Sequence, residues 1–159
     1  MKEKMFLFII VLLLSVCSSE INDDKITIDG DQEDTIILSE KEHTFKDDGG
    51  DFTITTEGTQ WLLGGCYVDS KSYGFGCTVE CGEISNFEGF NIYCDSFGNP
   101  GIACEISKIE YSWFTITKET QQKIVFNVLP NETGKPRKIR LLLSDRNYLT
   151  SIEIDQLAE

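Results

Sequence analysis

The 159-residue chain is poor in several things that chemistry usually needs. It has one histidine, and 14 basic side chains against 27 acidic ones. A single imidazole, with no Gly-x-Ser-x-Gly elbow, leaves the common nucleophile–base constellations of hydrolases little to work with. That imidazole, His43, has Asp47 and Asp48 nearby but sits in an apparent first strand, and it reads as a surface or half-buried side chain. A formal charge of −13 argues against a phosphate-binding surface for nucleic acid, and equally against a basic patch for anionic lipid. No tandem repeat, low-complexity block or convincing helical stripe is present, and no apolar run is long enough to cross a bilayer. The apolar run at the N-terminus, Phe6 to Val16, counts 11 residues, where a spanning helix needs roughly 20.

What is present is a foldable domain with an export signal. A 40% hydrophobic content with 11% aromatics is too high for a disordered chain, and this length supports one ordinary core. Met1-Lys2-Glu3-Lys4, the short apolar run and Cys17-Ser18-Ser19 have the layout of a secretory signal peptide over residues 1–16. Leu14-Ser15-Val16-Cys17 resembles the lipobox of bacterial lipoproteins, which predicts lipidation of Cys17. Ordinary cleavage, with Cys17 an incidental thiol, is the alternative. Glu20, Asp23, Asp24, Asp29, Asp31, Glu33 and Asp34 make residues 17–34 an acidic, solvated tether. Spacing of the acids in Asp29-x-Asp31-x-Glu33 lacks the glycine and closing glutamate of an EF-hand loop.

From Thr35 onward the texture is that of short strands and turns. Asp51 to Thr55 alternates with period two after the turn cluster Asp47-Asp48-Gly49-Gly50, and Tyr111 to Thr117 is rich in aromatic and β-branched residues. Lys123 to Val128 places Ile124, Phe126 and Val128 on one side. Arg137 to Leu143 does the same for Ile139, Leu141 and Leu143, and Ile152 and Ile154 repeat the pattern. The expectation is an all-β, antiparallel sandwich over residues 35–159. A glycine- and cysteine-rich hairpin insertion is expected at about residues 64–104.

These segments together resemble the BACON family (Bacteroidetes-associated carbohydrate-binding often N-terminal). The resemblance rests on Leu38-Ser39, Gly49 to Ile54, Trp61, Trp113 to Ile116 and Lys123 to Val128. Its most specific parts are Asn131-Glu132-Thr133-Gly134-Lys135-Pro136-Arg137-Lys138-Ile139 and the closing Ile152-Glu153-Ile154-Asp155-Gln156. It covers about residues 35–159 and departs from the family between Trp61 and Trp113. It implies an immunoglobulin-like sandwich and a carbohydrate- or mucin-binding role, or a spacer role as in some multidomain relatives. The acidic run after Cys17 resembles a signal for transfer to the cell surface, so an outer-membrane or surface location is expected.

Ligand candidates follow from that implied role. Sugar rings present C–H faces to aromatic side chains, which points to Tyr73, Phe75, Tyr93 and Phe97 among the glycines of the insertion. The competing reading is that they fill its base. Cys66, Cys77, Cys81, Cys94 and Cys104 are disulfide candidates, since disulfides persist outside the cell, with two bridges and one thiol left over. Free buried thiols rank next, and a zinc site built on Cys77-x3-Cys81 last, because Cys94 and Cys104 are too far apart for a typical knuckle. Asn131-Glu132-Thr133 fits a glycosylation sequon but reads as a turn. No catalytic residue, metal or cofactor is expected. The expected partners are a glycan, a membrane through the lipid anchor only, and other surface proteins.

Overall fold

The structure, a computed structural model, describes residues 34–58, 60–76, 80–98, 102–145 and 148–159. The segment expected to be a signal peptide, Cys17, Cys77 and all of the expected tether except Asp34 lie outside the described residues. Within them there is no helix, and twelve strands follow one another. They are β1 (Ile36–Leu38), β2 (Glu42–Phe45), β3 (Gly50–Gly58), β4 (Leu62–Val68), β5 (Lys71–Gly74) and β6 (Ile84–Phe87), then β7 (Phe90–Asp95), β8 (Glu105–Tyr111), β9 (Phe114–Thr120), β10 (Lys123–Val128), β11 (Arg137–Asp145) and β12 (Tyr148–Gln156).

The strands form two sheets, ordered β1-β3-β10-β9-β8-β7-β6 and β2-β12-β11-β4-β5. Pairing is antiparallel except between β2 and β12, which run parallel with Glu42 opposite Glu153. The architecture is an all-β, immunoglobulin-like sandwich. Its core is the set of inward positions that the alternation marks out: Ile54, Ile124, Phe126, Ile139, Leu141, Leu143, Ile152 and Ile154 are buried, as is Trp61. Burying each such side chain contributes about 1.5–3 kcal/mol, which makes the inward faces of the two sheets the main source of stability.

Two boundaries differ from the sequence reading, each for a physical reason. The stretch Tyr111 to Thr117 is not one strand, because the chain reverses at Ser112-Trp113 and Tyr111 pairs with Phe114. The preceding strand β8, with its mixed polar sequence Glu105-Ile106-Ser107-Lys108, carries too weak an alternation to be read as buried. The insertion does not begin at Gly64, since Gly65 to Val68 belong to β4 and pair with β11 at the centre of its sheet. The added material is two hairpin arms, one on each sheet. Strand β5 extends one sheet from β4, and the β6–β7 pair extends the other from β8.

Glycine is required where the arms meet the core. At Gly65 a Cβ would lie 2.4 Å from the carbonyl oxygen of Tyr73, and the register of β4 against β11 shifts beside it. The turn predicted at Asp47 to Gly50 is present, with Gly49 at φ +73° and a Cβ there 2.2 Å from the Val128 oxygen. Among the described residues the cysteines divide as one thiol and three linked sulfurs. Cys81 is joined to Cys104, tying the loop before β6 to the loop before β8, and Cys94 is also disulfide-bonded. Cys66 is the exception to the expected candidates: it is a free, fully buried thiol on β4, and burial pushes its pKa up to about 12. Cys81 and Cys104, being joined, offer no thiolate for the zinc alternative.

Candidate functional site

The most specific part of the sequence pattern turns out to be a scaffold for one end of the sandwich. Asn131 is buried, and its amide donates to the carbonyl oxygens of Lys135 (2.8 Å) and Leu157 (2.9 Å). Its Oδ1 accepts from the Thr133 hydroxyl at 2.7 Å and the Thr133 N–H at 3.2 Å, an Asx turn that sets the β10–β11 loop. The side chain is therefore consumed by its own turn, as the sequence reading of the sequon held. Arg137 then begins β11 and donates through Nε and Nη2 to Gln156 Oε1, and through Nη2 to the carbonyls of Leu129 (3.1 Å) and Pro130 (3.2 Å). Gln156, fully buried, donates to the carbonyls of Leu129, Asp47 and Lys46. The β2–β3 and β10–β11 loops are thus held by two side chains.

Above this scaffold is an open depression of about 590 Å³. Three turns line it: Asp69 after β4, Tyr111, Ser112 and Trp113 between β8 and β9, and the loop carrying Thr133, Lys135 and Arg137. Asp69 and Ser70 both have positive φ, the geometry of a two-residue hairpin turn matched to strand twist. Asp69 is pinned by its N–H to the Lys138 carbonyl (3.0 Å), and its Oδ1 accepts from the Lys138 N–H (2.9 Å). The Arg137 guanidinium lies 4.3 Å from the Trp113 ring centroid. Burial lowers its pKa, while the charge of Asp69 acts in the opposite direction. Tyr111 stacks on Phe90 with ring centroids 4.3 Å apart. Volume, paired aromatics and a few polar groups are the ingredients of a small-ligand site.

The four aromatics expected to touch a ligand are not brought together. Tyr73 is 7% exposed and packs its edge on Phe90 at 4.7 Å, so its ring is core and is unavailable as a contact surface. Phe75, half-buried, meets the same Phe90 at 5.0 Å. Both therefore support Tyr111 from behind. Tyr93 lies on the opposite face of its sheet, where its hydroxyl donates to Glu110 at 2.6 Å and Lys108 Nζ sits 3.9 Å over its ring. Phe97 is elsewhere again, 4.9 Å from Lys118 Nζ. His43 stacks on Phe52 at 3.7 Å and meets the edge of Phe45 at 4.7 Å.

A second polar cluster closes the other end of the sandwich. Lys118 and Glu105 form an ion pair at 2.5 Å with side chains 0% and 2% exposed. Lys118 also donates to the Trp61 carbonyl (2.7 Å) and lies 4.1 Å over the Trp61 ring. Trp61 Nε1 donates to the Thr56 hydroxyl (2.9 Å), and Gln121 Nε2 to Glu105 Oε1 (3.1 Å). Burial lowers the Lys118 pKa, and the hydrogen bond to Glu105 and its charge act against that. Sequence reasoning missed this pair, although its signal is there: Phe114, Ile116 and Lys118 share the inward face of β9.

The fold and the depression together define a β-sandwich that carries a shallow ligand-sized surface site at one end. No protein-family model and no curated protein sequence matches the chain. In structure it is similar to the NMR structure of a protein from Bacteroides thetaiotaomicron, at TM-score 0.53 and 13% identity, covering 82% of this chain and 92% of that one. It is also similar to a Bacteroides ovatus GH5 xyloglucanase in complex with a XXXG heptasaccharide, at TM-score 0.40 and 14% identity, covering 79% of this chain and 19% of that one. The first likeness speaks to fold alone, and the second carries no functional argument.

Proposed function

We propose that this protein is a non-catalytic, exported lipoprotein of the BACON type, anchored to the outer membrane through Cys17, whose sandwich binds carbohydrate at the Tyr111–Trp113 depression. The observation that carries the reading is the half-buried Tyr111 beside Asp69, Ser112 and Thr133 in a volume of about 590 Å³, with Trp113 buried against Arg137 at its base. Aromatic walls pack on sugar C–H faces while a few fixed polar groups bond hydroxyls. The site replaces the insertion aromatics as the contact surface, because Tyr73 and Phe75 pack on Phe90 and Tyr93 and Phe97 lie apart, none of them bordering the depression.

The test is binding of the purified protein to a panel of mucin glycans and plant polysaccharides, repeated with Ser112→Trp. Ser112 is exposed in its turn, so the larger side chain fills the depression without entering the core. Saturable binding that falls at least about tenfold in that variant supports the site; a loss of 1.4 kcal/mol is what such a fall represents. Undiminished binding moves the site elsewhere, and no binding from folded protein rejects the reading.

A second reading, a spacer or protein-interaction module of a surface assembly, draws on a different observation. Strand β6 is the edge of its sheet and exposes Ile84 (51%) and Phe87 (42%) beside its unpaired backbone.

A further inference from the structure

The cations of this protein are distributed in a way its composition does not suggest. Ten lysines and arginines fall within the described residues, in a chain with nearly twice as many acids as bases. Seven of the ten have a carboxylate oxygen within 4.0 Å. The three that have none among the described residues are Lys46, Lys135 and Arg137, and the last two both line the depression. At this hollow neither cation has a carboxylate within ion-pair distance among the described residues, and the acid that borders it, Asp69, reaches Arg137 only through its longer-range charge.

The geometry of Arg137 sharpens this. Its hydrogen bonds to the protein use Nε and Nη2 only, and every acceptor is a neutral carbonyl or amide oxygen. Nη1, with two N–H donors, bonds to none of the described residues. The Trp113 ring beneath, at 4.3 Å, and the fork to Gln156 fix the plane of the guanidinium. An oriented, partly desolvated guanidinium with unused donors is the preferred partner of a planar or tetrahedral oxyanion. Lys135, exposed on the same loop, adds a second positive charge. Asp69, the acid that lines the hollow, spends Oδ1 on the Lys138 N–H.

Resting on the carbohydrate reading above, we infer that the depression selects an anionic saccharide, one that carries a carboxylate or a sulfate ester against Arg137 and Lys135. The net charge of −13 makes the case stricter, since a polyanion gains nothing from this surface at large and must be held by this local pair. Tyr111, half-buried at the edge of the depression, then takes the sugar ring, and the anion fixes its orientation.

Matched saccharide pairs test this on the full chain by isothermal titration calorimetry: 3′-sialyllactose and 3′-sulfolactose each against lactose, and trigalacturonate against its methyl ester. At least one charged member should bind about tenfold or more tighter than its neutral counterpart, as a charge-assisted hydrogen bond from Nη1 contributes. The sialyl, galacturonate and sulfo members distinguish carboxylate from sulfate. Lys135→Glu should lower affinity for the charged member more than for the neutral one with the melting temperature unchanged, and an equal loss for both overturns the selectivity; Arg137 is avoided because it also holds the loops. Equal affinity within every pair overturns the anion selectivity and leaves the carbohydrate reading standing. Binding of no saccharide, charged or neutral, overturns both.

Discussion

Each end of the sandwich places a cation over a tryptophan, and the two ends treat that cation in opposite ways. At one end Lys118 lies 4.1 Å from the Trp61 ring, sealed from solvent and paired with Glu105. At the other, Arg137 lies 4.3 Å from the Trp113 ring, half-buried, with neutral partners only. The difference follows from desolvation. A fully buried ammonium loses its hydration and must recover it from a carboxylate and a carbonyl. A guanidinium that keeps some water, and whose hydration is weaker to begin with, can be held by carbonyl oxygens and keep its charge available. One end is therefore sealed, and the other leaves its cation partly exposed to solvent.

The comparison breaks most sharply at the sealed end. Lys118→Ala leaves Glu105 charged inside the core and should cost about 3–5 kcal/mol. Chemical denaturation of this variant against a Lys118→Met/Glu105→Leu pair checks the cause, since removing both charges should recover most of the loss. A double variant as unstable as the single one would mean that shape, not charge, holds that end.

At the open end the expected effect is smaller. Arg137→Lys keeps the charge but loses the fork to Gln156, Leu129 and Pro130, and about 1–3 kcal/mol should be lost at roughly one per hydrogen bond. The same denaturation curves read it. A cost equal to that of Lys118→Ala would erase the distinction between the two ends.

Between the ends, on β4, Cys66 offers the finest probe. Its thiol is raised from 9.0 to about 12 by burial. The unfolded chain therefore loses this proton near pH 9 while the folded chain keeps it, so stability is complete below pH 9 and declines as pH rises towards 12. At pH 10 the decline should reach about 1.4 kcal/mol, one unit of pKa. Melting of wild type and Cys66→Ala between pH 8 and 10 isolates it, because the other groups that titrate in that range are common to both. Parallel decline of the two proteins would show that Cys66 is not sealed.

Much of the fold was legible because its central strands obey a simple rule. The period-two sets in β10, β11 and β12 became the core residues Ile124, Phe126, Ile139, Leu141, Ile152 and Ile154. The turn at Asp47 to Gly50 carried its own glycine signal. Strand β8 was not legible, since Glu105 and Lys108 interrupt any apolar alternation, and neither was the reversal at Ser112-Trp113, which lacks the Gly or Asn of a typical tight turn. The site was legible only in part. Asn131, Arg137 and Gln156 stood out as a pattern, yet nothing in the sequence says that one loop, one hairpin and one turn meet above them. Tyr73 was harder to place: the glycines beside it suggested a loop tip, whereas it lies in β5, where Gly65 lets β4 approach closely and its ring is buried.

The sequence by itself determined the composition of the two layers, because alternation decides which side chains leave water whatever the rest of the chain does. It also determined the acidic surface and the supply of cysteines. Which cysteines join and which one stays free, which cations find a carboxylate, and that Lys135, Arg137, Trp113 and Asp69 border one hollow were decided only by the tertiary structure. Those outcomes depend on distances between residues far apart in the chain, and pairing, desolvation and charge act over a few ångströms in space irrespective of separation in sequence.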